Sequence, residues 1–213
     1  MSNKVGIVGY GVLGIQLETY LLEAGIKKDE IIYFDDTAHK NNMENSVPFS
    51  EYLNEKYKEL DFYVCLGYLH LQLRDKIITS LLDNDRNVPV FIHHTAIIHP
   101  TTVIEKGVII YPGVLVDQHV LIKKGVMLTD GAIVSHNTVV NESCFLAPRA
   151  TVCGHVSIGK YCFLGAGANI SNNISIGENC IIGIGATLTV DIMDNHFVKS
   201  PKSSITQNKI KLK

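Results

Sequence analysis

MLTDGA-IVSHNT-VVNESC-FLAPRA-TVCGHV-SIGKYC, residues 127–162, repeats one pattern every six residues. The pattern extends without a break from Ile97 to Ile192, sixteen hexads in all. The second position is aliphatic throughout, from Ile98 through Val140 to Leu188, and the sixth is always Thr, Val, Ala, Cys or Ile. A short fixed period predicts a solenoid, whose units bury apolar residues only against their neighbours. Three hexads make one triangular coil of 18 residues, with the second position pointing into the prism and the sixth at a tightly turned corner. Coils of parallel β-structure stack about 4.8 Å apart. Cys144, Cys162 and Cys180, each 18 apart, then share one column and read as small apolar fillers rather than as a metal or disulfide site, since no CxxC pair is present.

The first ninety residues carry a different pattern. Apolar strands are expected at Lys4–Val8, Ile31–Phe34, Phe62–Leu66 and Val88–Ile92, alternating with helices at Ile15–Glu23, around Ser50–Tyr57 and at Leu71–Leu82. That alternation predicts a small parallel α/β sheet. Gly9-Tyr10-Gly11-Val12-Leu13-Gly14 lies between the first strand and its helix, and Asp35-Asp36 closes the second strand. This is the dinucleotide fingerprint, in which N–H groups at a helix N-terminus meet phosphate and a carboxylate meets ribose. About four strands are fewer than a full dinucleotide fold uses, so a single nucleotide fits better. Tyr10, Gly11, Val12 and Gly14 are the expected phosphate-facing turn, Asp35 and Asp36 the contacts to ribose or base, and Gly67 and Tyr68 the flank at the third strand end.

Function is sought where the hexads depart from the ideal. At period 18, position four runs Gln118, His136, Gly154, Asn172, and position five runs His119, Asn137, His155, Asn173. One edge of the prism therefore collects three histidines, several amides and a glycine.

Composition narrows the classes. Nineteen basic against twenty-one acidic residues leave a net charge of −2, without the basic footprint of a nucleic-acid binder. No run reaches about 18 apolar residues, and no basic-then-apolar leader opens the chain, so no membrane partner and a cytoplasmic location are expected.

Ser135-His136-Asn137-Thr138-Val139-Val140, followed by the run from Pro148 to Gly159 and the closing IIGIGATLTVDI, resembles the bacterial sugar O- and N-acyltransferases. That group includes the sialic acid O-acetyltransferases and the nucleotide-linked aminosugar N-acetyltransferases. VGYGVLG, YFDD and CLGY with Arg74 extend the resemblance over nearly the whole chain. It implies a Rossmann-like nucleotide-sugar domain over residues 1–92 and, over 93–213, a left-handed parallel β-helix with a C-terminal tail. It also implies a homotrimer with active sites between neighbouring prisms, and acetyl-CoA as co-substrate with no metal.

Within that resemblance His136 is the general base, and Phe145, Gly154, Ala166 and Ile184 match coenzyme A contacts. The family often has an acid after the base, where this chain has Asn137, and often a histidine where it has Phe145. Asn137, Asp117 or Asp130 is expected to orient His136, and Gly154 to admit the thioester near a backbone N–H donor. Lys199, Lys202, Lys209, Lys211 and Lys213 are available to neutralise coenzyme phosphates, although a solvated tail is the simpler reading.

The expected reaction is direct attack of an amine of a UDP- or dTDP-linked deoxyaminosugar on acetyl-CoA, with O-acetylation of a sialic acid or other sugar hydroxyl as the alternative. A nicotinamide oxidoreductase rests on GYGVLG alone and leaves the β-helix without a task. A zinc enzyme of the γ-carbonic-anhydrase type needs a third histidine where Lys160 stands. A catalytically inert scaffold leaves the histidine-bearing edge unexplained.

Overall fold

The computed structural model describes residues 4–200 and 202, and of the tail lysines Lys209, Lys211 and Lys213 lie outside the described residues. The N-terminal unit is a parallel sheet in the order β3-β2-β1-β4, made of β1 (Val5–Val8), β2 (Ile31–Phe34), β3 (Ser46–Val47) and β4 (Asp61–Val64). Helices α1 (Val12–Glu23), α2 (Asp36–Lys40) and α3 (Leu71–Asp83) connect and cover it. The order reverses direction beside β1, and the carboxyl ends of β1 and β4 flank that switch point, where such sheets bind ligands.

Two expectations fail here. The helix around Ser50–Tyr57 is instead a pair of 3₁₀ turns, Phe49–Leu53 and Glu55–Tyr57, because Asn54 between them is extended and accepts the Lys56 N–H. The segment expected as a strand at Val88–Ile92 does not complete the small sheet. Asn87 bridges Asp61 at the sheet edge, and Phe91–Ile92 then pairs with Ile109–Ile110 as the first rung of the solenoid. FIHHTA, residues 91–96, is itself a hexad, so the repeat begins one unit earlier than Ile97.

The solenoid has three parallel sheets of two-residue strands, with seven, six and five rungs. Every second-position residue from Ile110 to Leu188 is buried in one continuous core, and every sixth-position residue from Val108 to Ala186 is buried, Thr138 being the one polar member. The tight corner belongs to the fifth position, not the sixth. From Gly107 to Gly185 each fifth residue is left-handed, with φ between 53° and 71°. That conformation suits Gly and Asn and is strained for Ser143, Arg149 and Tyr161. The buried cysteine column donates upward, Cys144 Sγ to Gly159 O and Cys162 Sγ to Gly177 O, each at 3.0 Å. Burial pushes the Cys180 thiol up as well, so these groups stay protonated fillers.

The final expected hexad, TLTVDI, loses its register. Ile192 pairs with Ile176, sixteen residues back, so the top coil is two residues short at one corner.

The N-terminal unit sits on the seven-stranded face. Outward-facing Ile109, Met127 and Phe145 join Val5, Leu17, Leu21 and Tyr63 in a shared core. Arg74, wholly buried on α3, staples the units together. Its guanidinium donates to Leu66 O at 2.9 Å on one side and to Ser143 O and Cys144 O at 2.7 and 3.0 Å on the other. Burial lowers its pKa to about 10, so it remains a cation at neutral pH. Among the described residues no helix is long and apolar enough to cross a membrane.

Candidate active site

Gly9 turns the chain out of β1 with φ 87°, and α1 begins directly after Gly11. A Cβ on Gly14 would lie 2.5 Å from Gly9 O, so only glycine lets α1 pack this closely on the turn. A Cβ on Gly11 would meet nothing within 4 Å, so that face of the backbone is open to a ligand. The first-turn N–H groups of α1 have no intrahelical partner and point the same way, an arrangement suited to phosphate.

The other residues expected on this loop divide. Tyr10 turns its side chain inward, its hydroxyl donating to Glu18 and its ring lying 4.4 Å from Tyr33, so its side chain does not face a ligand. Glu18 is buried. Burial alone would raise its carboxyl, but the Tyr10 hydrogen bond and the Lys28 ion pair at 3.3 Å outweigh this and hold it below its usual range. Asp35 accepts the Tyr10 N–H at 2.9 Å with one oxygen and the Thr37 and Ala38 N–H groups with the other. Asp36 accepts the Phe49 N–H at 3.0 Å. Both carboxylates expected at ribose or base are thus engaged in holding their own loop, because each caps a turn that would otherwise leave N–H groups unpaired.

Gly67 and Tyr68 face Gly11 across a cleft of about 430 Å³, whose far wall is Phe145, Ala147, Pro148 and Phe163 of the solenoid. Tyr68 stacks on Phe163 with centroids 4.4 Å apart and planes 22° apart.

His136 stands on a different edge of the prism, at the corner between the strands Ile133–Val134 and Val139–Val140. The predicted columns are real. Asn137 N donates to Gln118 O, His155 N to His136 O and Asn173 N to Gly154 O, and His119, Asn137, His155 and Asn173 are all left-handed. The half-buried imidazole is held on three sides. Its Nδ1 lies 3.1 Å from Asn137 Oδ1, and its ring meets His155 edge-on at 5.1 Å. On the third side, a Cβ on Gly154 would lie 2.5 Å from Cε1 and 2.7 Å from Nε2. Because an amide oxygen only accepts, this contact favours the tautomer of the neutral ring with N–H at Nδ1 and the lone pair at Nε2. Asp117 instead accepts the Gln118 N–H, and Asp130 belongs to another corner, so Asn137 is the orienting residue.

Of the residues matched to coenzyme A, Phe145, Ala166 and Ile184 lie near one another, and Gly154 lies apart on the His136 edge. Phe145 lies in the interdomain core beside Tyr68, and Ala166 and Ile184 stack with Pro148 on the corner beyond it. Gly154 alone adjoins His136, and the space over it that was expected to admit the thioester holds the imidazole.

Residues 137–172 and 155–189 match the family described as bacterial transferase hexapeptide (six repeats). Over these coils the chain is similar to the bacterial-transferase hexapeptide repeats. No curated protein matches the chain in sequence. Among solved structures, the acetyltransferase domain of PglB from Neisseria gonorrhoeae, in complex with acetyl coenzyme A, superimposes with a TM-score of 0.85 at 24% identity, covering 92% of this chain and 96% of that one. PerB from Caulobacter crescentus, in complex with CoA and GDP-perosamine, gives 0.82 at 23% identity over 91% and 92%. WeeI from Acinetobacter baumannii gives 0.83 at 17% identity over 93% and 97%. At these identities the likeness establishes a shared fold, an α/β unit followed by a hexapeptide-repeat β-helix. Within that fold two contacts here were not expected from the sequence, those of Glu18 and Asn172. Glu18 interrupts the apolar face of α1 between Leu17 and Leu21, a visible signal. Asn172 shares the His136 column, but its bond to the hexapeptide-repeat backbone has no sequence signature.

Proposed function

We propose that the protein is an acetyl-CoA-dependent N-acetyltransferase acting on the amino group of a nucleotide-linked deoxyaminosugar, with His136 as general base. The observation that carries this is the imidazole on the hexapeptide-repeat edge, held by Asn137 so that Nε2 is free to accept a proton. The glycine turn at Gly11, opening on a cleft rather than on packed protein, supports a nucleotide diphosphate as the handle of the acceptor. The acetyl-CoA bound to the PglB domain, and the CoA and GDP-perosamine bound to PerB, support the two substrates. An amine attacks a thioester directly once a base takes its proton, and a positioned base contributes typically 10²–10⁴-fold.

His136 and the Gly11 cleft occupy different edges of one prism, so the reading joins them across a homotrimer, with the coenzyme between adjacent prisms. The outward faces flanking the His136 corner support such assembly. Ile97, Leu115 and Ile133 on one side and Val103, Leu121 and Val139 on the other are aliphatic in the lower coils, with Ile97 67% and Val103 58% exposed in the single chain. The same positions become Thr151, Asn169, Ser157 and Ser175 higher up. Five free thiols accord with a reducing cytoplasm.

The test is thiol release from acetyl-CoA with a panel of UDP-, dTDP- and GDP-linked aminosugars. Turnover with at least one, falling at least ~10²-fold in His136→Ala while acetyl-CoA still binds, is expected. Full activity in that variant, or no turnover with any acceptor, refutes the reading.

A further inference from the structure

The buried residues of α1 are Gly14, Leu17, Glu18 and Leu21, and one of the four carries a charge. Taking a carboxylate out of water is unfavourable unless hydrogen bonds and an ion pair offset it. Glu18 has both, the Tyr10 hydroxyl donating to Oε2 and Lys28 Nζ lying 3.3 Å from Oε1. Lys28 is exposed, whereas Tyr10 stands eight residues back in the chain, before the helix begins. Helical side chains lean towards the N-terminus of their helix, so Glu18 reaches back along α1 to the turn that leads into it. Tyr10 is held at its other end as well. Its N–H donates to Asp35 Oδ2 at 2.9 Å, and its ring lies 4.4 Å from that of wholly buried Tyr33 on β2. Gly14 leaves room for this ring, whose Cδ2 would lie 3.3 Å from a Cβ there. On either side of Tyr10 are Gly9, at φ 87°, and Gly11, where a Cβ would meet nothing within 4 Å. Gly11 and Val12 line the cleft of about 430 Å³. Two glycines leave such a turn free to rearrange, and the residue between them is its one anchored side chain.

We propose that Glu18 is a positioning residue for the nucleotide-linked acceptor. Through its hydrogen bond to Tyr10 it fixes the backbone of the Gly9–Gly11 turn in the shape that receives the acceptor's diphosphate. This rests on the nucleotide-sugar reading of the Gly11 cleft and adds to it the group that holds the turn. In this role neither side chain contacts the ligand, which meets the backbone N–H groups of Gly11 and Val12. Fixing the backbone of one residue only when the ligand arrives weakens binding by about 5–30-fold. A turn already fixed in the free protein avoids that loss. An anion beneath the turn opposes an anion above it, and the ion pair with Lys28 offsets that opposition. A carboxylate is kept at this buried position because it is an acceptor strong enough to hold the hydroxyl.

The alternative is that the Tyr10–Glu18 bond merely packs α1 on the sheet, which predicts lost stability without a selective loss of affinity. Two measurements on the full-length protein separate the roles. One is steady-state kinetics with whichever UDP-, dTDP- or GDP-linked aminosugar wild type turns over. The other is calorimetric binding of UDP, dTDP and GDP themselves. Tyr10→Phe removes the hydroxyl and keeps the ring; Glu18→Ala removes the acceptor. In both, KM for the nucleotide-sugar and Kd for the nucleoside diphosphate should rise about 5–30-fold, with kcat and KM for acetyl-CoA within about threefold of wild type. The double variant should lose no more than either single one, because both break the same bond. Glu18→Gln, whose amide oxygen still accepts the hydroxyl, should bring KM back to within about threefold of wild type. A rise of less than about fivefold in Tyr10→Phe overturns the role, and so does an equal rise in KM for acetyl-CoA, which marks general damage. Glu18→Gln as impaired as Glu18→Ala assigns the effect to charge and overturns it too. If Glu18→Ala does not fold, Tyr10→Phe decides. If wild type turns over an acceptor and the variants match it, that failure belongs to Glu18 alone. If wild type releases no thiol with any acceptor and binds none of the three nucleotides, the nucleotide-sugar reading falls and Glu18 with it.

Discussion

Gly154→Ala is the most informative single change, because it leaves every ionisable and hydrogen-bonding side chain in place. The added methyl group would sit 2.5 Å from His136 Cε1, 2.7 Å from Nε2 and 3.0 Å from Nδ1. Carbon atoms rest about 3.5–4.0 Å apart, so the overlap is roughly 1 Å across the whole face of the ring. The imidazole is the mobile partner, since the Gly154 backbone is pinned by its N–H to Asn172 and by its carbonyl to Asn173 N. The ring must swing out by about 1 Å or more, giving up its bond to Asn137, which contributes about 1 kcal/mol. Misplacing a catalytic group by about 1 Å costs roughly 10²-fold, so kcat/KM should fall about 10²-fold, close to the loss in His136→Ala. Global stability should change little, because the backbone at Gly154 is not in the left-handed region and the corner is exposed to solvent on one side. Steady-state kinetics, thermal unfolding and acetyl-CoA binding on one preparation decide it. A Gly154→Ala protein keeping more than about a tenth of wild-type kcat/KM would refute the claim that this glycine sets the position of the base.

Arg74→Ala should destabilise the whole chain by about 3 kcal/mol or more, since it strands the buried carbonyls of Leu66, Ser143 and Cys144; at roughly 2–4 °C per kcal/mol, a fall in Tm of about 6–12 °C is expected by calorimetry. Leu115→Glu, outward-facing beside the His136 corner, should lower the assembly state seen by light scattering and abolish turnover together; an active monomer would refute the intersubunit site. Stability should decline from about pH 9 towards about pH 12, because burial raises the Cys65 thiol from 9.0 to about 12 and the Tyr63 hydroxyl to about 12. Both groups are favoured protonated in the folded state, so their contribution is complete below the unfolded pKa values and is lost as pH rises through the folded ones. Urea midpoints across that range should fall less steeply in Cys65→Ala.

The hexad run alone determined the solenoid, its inward second position and the stacking of His136, Gly154 and Asn172, because a period of six leaves one way to put every aliphatic residue on the inside of a triangular coil. The glycine turn and its parallel sheet were likewise legible, since Gly9, Gly11 and Gly14 each answer a local steric demand. Local pattern failed where a residue had two possible partners. Phe91–Ile92 reads as a strand wherever it is placed, and only the competition between the small sheet and the first coil assigned it to the solenoid. Ser46–Val47, the strand that completes the small sheet in its place, is too short to show a period. Asp35, Asp36 and Tyr10 sit where a nucleotide fingerprint puts ligand contacts, yet nearby N–H groups and Glu18 claim their side chains first. Which face of the prism the N-terminal unit covers was decided by Arg74 and the outward-facing Ile109, Met127 and Phe145, and this separated the Gly11 cleft from His136 within one chain. Composition and spacing record what each residue can bond; which of those bonds is made depends on what the rest of the chain brings within 3 Å, and only tertiary packing decides that.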